Sequence, residues 1–201
     1  MVSSIIRLRS QRLSEIPVLV LVDLQQEYIA APRITALPGA HGALRKCRDA
    51  LTAARGAGIP IAFTRLQGAS GFFNRSGTLF DWVEGFEPLR SEMVFDRDMP
   101  SCYSSEGFSA FMRDVRAPVV LAGFSGESAC LATLVDGYHR KQQMIYLADA
   151  SASQPLNGFD ADETQRAVAG IASIYADIAD TDSWTNSLAG PRQFTRANHD
   201  S

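Results

Sequence analysis

The chain has 201 residues, 46% of them hydrophobic and 20% charged, and a net charge of −3. That balance fits one globular domain with a sizeable core and excludes a disordered chain. It offers no basic surface for nucleic acid or an anionic membrane, so neither is expected as a partner. Three cysteines, Cys47, Cys102 and Cys130, are too few and too odd in number for a disulfide framework. No CxxC or clustered Cys/His pattern points to structural zinc. A reducing, cytoplasmic location is expected.

Residues 1–16 carry Arg7, Arg9 and Arg12 but no apolar stretch of signal-peptide length, and are expected to form an N-terminal arm. Pro17-Val-Leu-Val-Leu-Val22 is a continuous apolar run, the pattern of a strand buried on both faces, with Asp23 at its carboxyl end. The longest apolar run, residues 16–22, is too short to span a bilayer. Residues 39–57 carry helical spacing through Ala43, Leu44, Cys47, Ala50, Leu51 and Ala54, closed by Gly56 and Gly58. Residues 59–64 form the next expected strand, with Arg65 at its end.

Residues 66–93 have no clear period. Their aromatics, Phe72, Phe73, Phe80, Trp82 and Phe86, suggest either a loop covering a pocket or a hydrophobic cluster beneath a loop. A short strand is expected at 93–95, a helix at 105–115 and a strong strand at 118–123. A helix at 128–140, a strand at 143–148 ending in Asp149, a helix at 161–175 and a short strand at 176–179 complete the pattern. Strand and helix in alternation argue for one parallel sheet with helices on both faces, an α/β fold. The expected domain is 17–192, followed by a polar tail at 193–201.

Cys130 follows a strand and a Gly-containing turn, at the start of a helix. An open α/β sheet places its chemistry there. A helix N-terminus favours a thiolate and presents backbone N–H groups to an oxyanion. The alternative is a small buried core cysteine. Asp23 lies at the same sheet edge and could take the thiol's proton. The alternative there is an Asp that caps a turn or helix.

Together, Leu19-Val-Leu-Val-Asp23-Leu-Gln-Gln26, Leu121-Ala-Gly123, Glu127-Ser-Ala-Cys130-Leu-Ala-Thr133 and Leu147-Ala-Asp149-Ala150 resemble the isochorismatase-like cysteine hydrolase superfamily over residues 17–176. The resemblance implies a three-layer α/β/α sandwich around a parallel sheet of about six strands. It also implies a catalytic Asp, Lys and Cys. Asp23 and Cys130 match two of these. The third departs: the corresponding region, Val94-Phe-Asp-Arg97, has no lysine, and Arg97 is the natural substitute. Arginine keeps its charge but cannot exchange a proton near neutral pH. The alternative for Arg97 is an ordinary ion-pair arginine.

Family nicotinamidases often hold a divalent ion through histidines after the second strand. This chain has Thr64-Arg-Leu-Gln-Gly68 there, so neither a catalytic metal nor any other cofactor is expected. The resemblance also implies a cis peptide in the turn before the nucleophile, placed here at Gly126–Glu127. The expected oxyanion donors are the N–H of Cys130 and of a residue in that turn. Phe72, Phe80, Trp82 and Tyr103 are candidate substrate-binding residues. Cys102 is a pocket-lining residue or a redox partner of Cys130, His139 has no expected catalytic role, and Asp149 more naturally caps than catalyses.

The expected activity is hydrolysis of an amide or ureido C–N bond in a small-molecule substrate through a Cys130 thioester. Retention of the cysteine argues against vinyl-ether hydrolysis of the isochorismatase type. A non-catalytic binding protein is the other reading, supported by Arg97. The resemblance implies a homodimer or homotetramer.

Overall fold

The computed structural model describes residues 16–68 and 71–189. All of the expected N-terminal arm but Ile16, and the whole polar tail, lie outside the described residues. Six parallel strands form one sheet: β1 (Val18–Val22), β2 (Ile61–Leu66), β3 (Met93–Arg97), β4 (Val119–Phe124), β5 (Met144–Ala152) and β6 (Asp177–Ala179). Their order is β3-β2-β1-β4-β5-β6. Among the described residues four α-helices connect strands, α1 (Ala40–Ala57), α2 (Glu106–Asp114), α3 (Leu131–His139) and α4 (Ala161–Ala172), and a fifth, α5 (Thr181–Ala189), follows β6.

The continuous apolar runs of β1 and β4 make them the central pair, and every residue of both is buried. Successive side chains point to opposite faces, so each run feeds two cores. Leu19 and Leu21 pack with Leu44, Cys47 and Leu51 of α1 and Trp184 of α5. Val18, Val20 and Val22 pack with Phe108 and Met112 of α2, Leu134 of α3 and Val168 of α4. Each large side chain removed from water in this way contributes about 1.5–3 kcal/mol.

Local chemistry sets the helix limits. Gly58, at φ 65, ends α1 in the left-handed conformation that glycine adopts without a Cβ penalty. The Ser105 side chain caps α2 by accepting from Phe108 N–H. Asp160 and Glu163 form a reciprocal capping box at the start of α4.

Two strands run past their expected ends. Strand β2 runs to Leu66, so Arg65 is inside it. Strand β5 continues to Ala152, so Asp149 lies within the strand. Its pairing with β4 jumps from Leu121↔Tyr146 to Gly123↔Ser151, an irregularity that a period-two reading cannot foresee. Helix α5 was not expected. Its start is fixed by Asp180, which accepts from Ser183 N–H, and by Asp149, whose Oδ1 accepts from both Thr181 N–H and Oγ1.

The connections reverse direction between β1 and β4. The carboxyl ends of these neighbours form the crevice where open α/β sheets place ligands. Asp23 leaves β1 there. Cys130 lies just beyond the end of β4, at the close of the helical turn Gly126–Cys130.

Candidate active site

Asp23 is wholly buried and holds a φ of 50, a left-handed conformation that Asp tolerates better than most residues. Its Oδ2 accepts from Nη2 of Arg97, the last residue of β3, and its Oδ1 accepts from Thr64 Oγ1 at 3.4 Å. Arg97 is itself 4% exposed, and its Nη1 donates to the Met99 carbonyl. Burial pushes the Asp23 carboxyl up to about 6, against the opposing pull of Arg97 and Thr64. Asp23 therefore changes charge near neutral pH, while Arg97 stays cationic. Arg97 Nε, also buried, has no hydrogen-bond partner among the described residues.

Cys130 closes a single π-helical turn, Gly126–Cys130, that leads into α3. Its N–H donates to the Ser125 carbonyl at 3.0 Å. That bond occupies the Cys130 N–H, one of the expected oxyanion donors. The same turn displaces the cis peptide: residues 126–130 are already helically wound, and the cis bond lies earlier, at Phe124–Ser125, rather than at Gly126–Glu127. Glu127 is half-buried, and its carboxylate accepts from Ser125 Oγ at 2.8 Å and from Gln154 N–H at 3.3 Å. It braces the turn between β4 and the segment after β5. Gly126 permits this fit, since a Cβ there would meet Gln165 Oε1 and Ser153 Oγ.

The Cys130 thiol is buried. It donates to the Gly123 carbonyl at 3.5 Å and lies 3.9 Å from Ser151 Oγ. The register jump in β5 is what sets Ser151 opposite Gly123. Behind Ser151 lies Tyr146, whose hydroxyl accepts from Gln165 Nε2 at 3.1 Å. Burial above all, with the neighbouring Cys102 next, pushes the Cys130 thiol well above its ordinary range. At rest it is neutral.

Cys102 joins the two halves. Its Sγ lies 3.5 Å from Thr64 Oγ1, which itself donates to Asp23. Its N–H donates to Thr133 Oγ1 on α3, at 2.9 Å. It is buried, and burial pushes its thiol up as well.

Most of the aromatic loop packs against the body of the protein, the second of the two expected arrangements, and Phe73 alone of its named aromatics joins Tyr28. Phe80 and Phe86 are buried in the body of the protein, and Trp82 packs edge-on against Phe63 of β2. Arg65 lies over both Phe80 and Trp82. Phe72 is partly exposed beneath Arg33. Tyr103 packs against Phe108 and lies under Arg140, in a groove between α2 and α3. The first three are packing residues of the loop, and Tyr103 faces another surface. Their aromatic character, which suggested a pocket, is instead what a long loop uses to gain a core of its own.

Residues missed from the sequence do the covering. Tyr28 is nearly buried and packs on Phe73 and Phe124, with ring centroids 4.9 and 5.6 Å apart. Its hydroxyl feels the charges of Asp23, Arg97 and Glu127. Glu27 fixes this cover, accepting from Arg33, from Thr35 Oγ1 at 2.8 Å and from Phe73 N–H at 3.5 Å. Gln25 pins the loop to β2: its Oε1 accepts from Leu66 N–H, and its Nε2 donates to the carbonyls of Leu66 and Phe80. The signal for Gln25 was its place two residues after Asp23. No pattern pointed to Tyr28.

The end of β2 does not fit a divalent ion. It carries no histidine, and Arg65 there is committed to Asp96 in a two-pronged ion pair. Among the described residues no group of three or more His, Cys, Asp or Glu is placed to hold a metal ion. No described helix is long and apolar enough to cross a membrane.

The isochorismatase domain model matches residues 17–183, and the chain belongs to the isochorismatase family. Among solved structures, it is similar to an isochorismatase from Pseudomonas putida KT2440. The two are 25% identical over 88% of this chain and 96% of the other, with a TM-score of 0.78. A cysteine hydrolase from Pseudomonas syringae pv. phaseolicola 1448A shares the fold at 20% identity and a TM-score of 0.77, over 87% and 92% of the two chains. So does N-carbamoylsarcosine amidase from Thermoplasma acidophilum, at 17% identity and a TM-score of 0.69, over 84% and 98%. No curated protein sequence matches the chain.

Proposed function

We propose that this hydrolase cleaves a C–N bond of amide or ureido type in a small molecule, with Cys130 as nucleophile and Asp23 as proton carrier. The observation that carries the reading is a buried carboxyl, pushed up to about 6, on the strand beside the one that delivers a buried thiol. Near neutral pH Asp23 is mostly a carboxylate, able to accept the Cys130 proton. The thiolate adds to the substrate carbonyl, and Asp23 returns the proton to the departing nitrogen as the C–N bond breaks. Water, deprotonated by Asp23, then adds to the thioester, and the acid and the Cys130 thiol are released.

Arg97 is a positioning residue in this scheme. It is paired with Asp23, holds the carboxylate's orientation and cannot itself carry the proton. The substrate displaces the Tyr28–Phe73 cover to reach the thiol, and closure over it excludes water from the first step.

The test is a panel of primary amides and ureides, with ammonia release as the readout and intact mass to detect an acyl-enzyme. The reading expects turnover, and a substrate adduct on the wild type that is absent from Cys130→Ser. Vinyl-ether hydrolysis that survives Cys130→Ser would overturn it, as would saturable amide binding without turnover.

A further inference from the structure

Two buried side-chain polar atoms lack a hydrogen-bond partner among the described residues. One, Arg97 Nε, belongs to the site above. The other is the hydroxyl of Tyr103. Leaving a buried hydroxyl unpaired costs about 1–3 kcal/mol, so its setting calls for an explanation.

Tyr103 is 6% exposed and lines a surface pocket of about 210 Å³ in the groove between α2 and α3. Arg113, Arg116 and Arg140 line it too, with Ser109 and Gln142. These three arginines come from two directions: two from the end of α2 and the segment after it, and one from the end of α3. All three are exposed, and none has an ion-pair partner among the described residues. Of the other described arginines, Arg33, Arg55, Arg65, Arg75 and Arg97 are paired with carboxylates, and Arg45, Arg48, Arg90 and Arg166 are not. Three unpaired guanidinium groups around one pocket stand out in a chain of net charge −3.

Local roles account for part of the cluster. Arg116 Nη1 donates to the Arg113 carbonyl at 3.0 Å, closing the end of α2. Gln142 Nε2 is spent on the carbonyls of Val115 and Ala117. Arg140 lies over the Tyr103 ring, 4.7 Å from its centroid. Asp136 is the carboxylate whose charge reaches Tyr103. The guanidinium of Arg113 and the Tyr103 hydroxyl remain without a partner. Burial pushes that hydroxyl up to about 12, so it stays protonated and is a donor at neutral pH.

We infer that this groove binds a small oxyanion, a phosphate or carboxylate group, held by Arg113 and Arg140 and oriented by the Tyr103 hydroxyl. Guanidinium groups match such anions with paired N–H donors, and a phenol adds a directional one. The site is separate from the Cys130 centre and needs no property of it.

Titration calorimetry of the full chain with inorganic phosphate, and separately with succinate, at constant ionic strength tests the site. Saturable binding of either is expected. Arg113→Gln with Arg140→Gln should weaken it tenfold or more, and Tyr103→Phe about tenfold. Unchanged unfolding midpoints in these variants show that the effect is local. No binding above the chloride control would overturn the inference, as would wild-type affinity in the double variant. Dissociation of an oligomer by the double variant, without phosphate or succinate binding to the wild type, would also overturn it, assigning the arginines to carboxylates of a second copy.

Discussion

The two halves of the active crevice are equally buried but solve that burial in opposite ways. On the β1–β2–β3 side, Asp23 and Arg97 form a fully desolvated ion pair supported by Thr64. On the β4–β5 side, Cys130, Ser151, Tyr146 and Gln165 make a neutral network of thiol, hydroxyl and amide. The contrast assigns the roles. The thiol has no cation of its own and cannot rest as a thiolate. In the proposed reaction its proton goes to the charged half, where burial pushes Asp23 up to about 6. The pair stores the proton acceptor, and the neutral half holds the nucleophile.

The largest effect expected from breaking this contrast is at its neutral end. Cys130→Ser should lower kcat/KM for the amide substrate by at least ~10⁴-fold, as loss of a nucleophile does. Tyr146→Phe, in the same network but behind Ser151, should stay within about tenfold. Steady-state kinetics on both variants checks the ranking, and a comparable loss from Tyr146→Phe would move the chemistry away from the thiol.

Next comes the acceptor. Asp23→Asn should lower kcat/KM by about 10²–10⁴-fold, the range for a lost general base. It should also flatten the pH profile. In the wild type, kcat/KM rises with pH through about 6 as Asp23 becomes a carboxylate. Stability should run the other way. Asp23 binds its proton more tightly folded than unfolded, so its contribution is full below about pH 4 and lost as pH rises through about 6. The unfolding free energy of the wild type, relative to Asp23→Asn, should fall across that window by on the order of 3 kcal/mol and then level off. Urea titrations at pH 4, 5, 6 and 8 would show this.

Arg97 sharpens the comparison further. Arg97→Met removes the cation that opposes the effect of burial on Asp23, and should move the acidic limb of the pH profile upward. Arg97→Lys keeps a charge in reach and should move it less, with activity at pH 7 within about tenfold. Equal profiles for the two would mean that Arg97 does not tune Asp23. The smallest effect lies outside the crevice: Asp160→Ala should cost about 1 kcal/mol through the lost α4 cap, with the kinetics unchanged.

The parts legible in the sequence were those fixed by period and by chain order. The apolar runs before Asp23 and before Gly123 could only be central parallel strands. Parallel topology then put Asp23 and the turn before Cys130 at one edge. Arg97 was legible as the residue standing where the family resemblance implies a lysine. What stayed hidden depended on tertiary fit. Ser151 reaches Cys130 through a register jump that no hydropathy pattern marks. Tyr28 covers the crevice because Glu27 and Gln25 hold the loop against it, and each of those contacts spans residues far apart in sequence or turns of irregular backbone. The aromatic loop misled because Phe80 and Phe86 are core to their own segment. Helix α5 was missed because its start is fixed by Asp149, 32 residues upstream.

The most direct test is the alkylation rate of Cys130 by iodoacetamide, followed by intact and peptide mass from pH 5 to 9, in the wild type and in Asp23→Asn. The account predicts that Cys130 labels faster than the equally buried Cys47, with a rate that rises through about pH 6 and loses that inflection in Asp23→Asn. Phe73→Ala, which thins the cover, should speed the same reaction. Labelling of Cys130 no faster than Cys47, or an identical pH dependence with and without Asp23, would contradict the claim that Asp23 carries the thiol's proton.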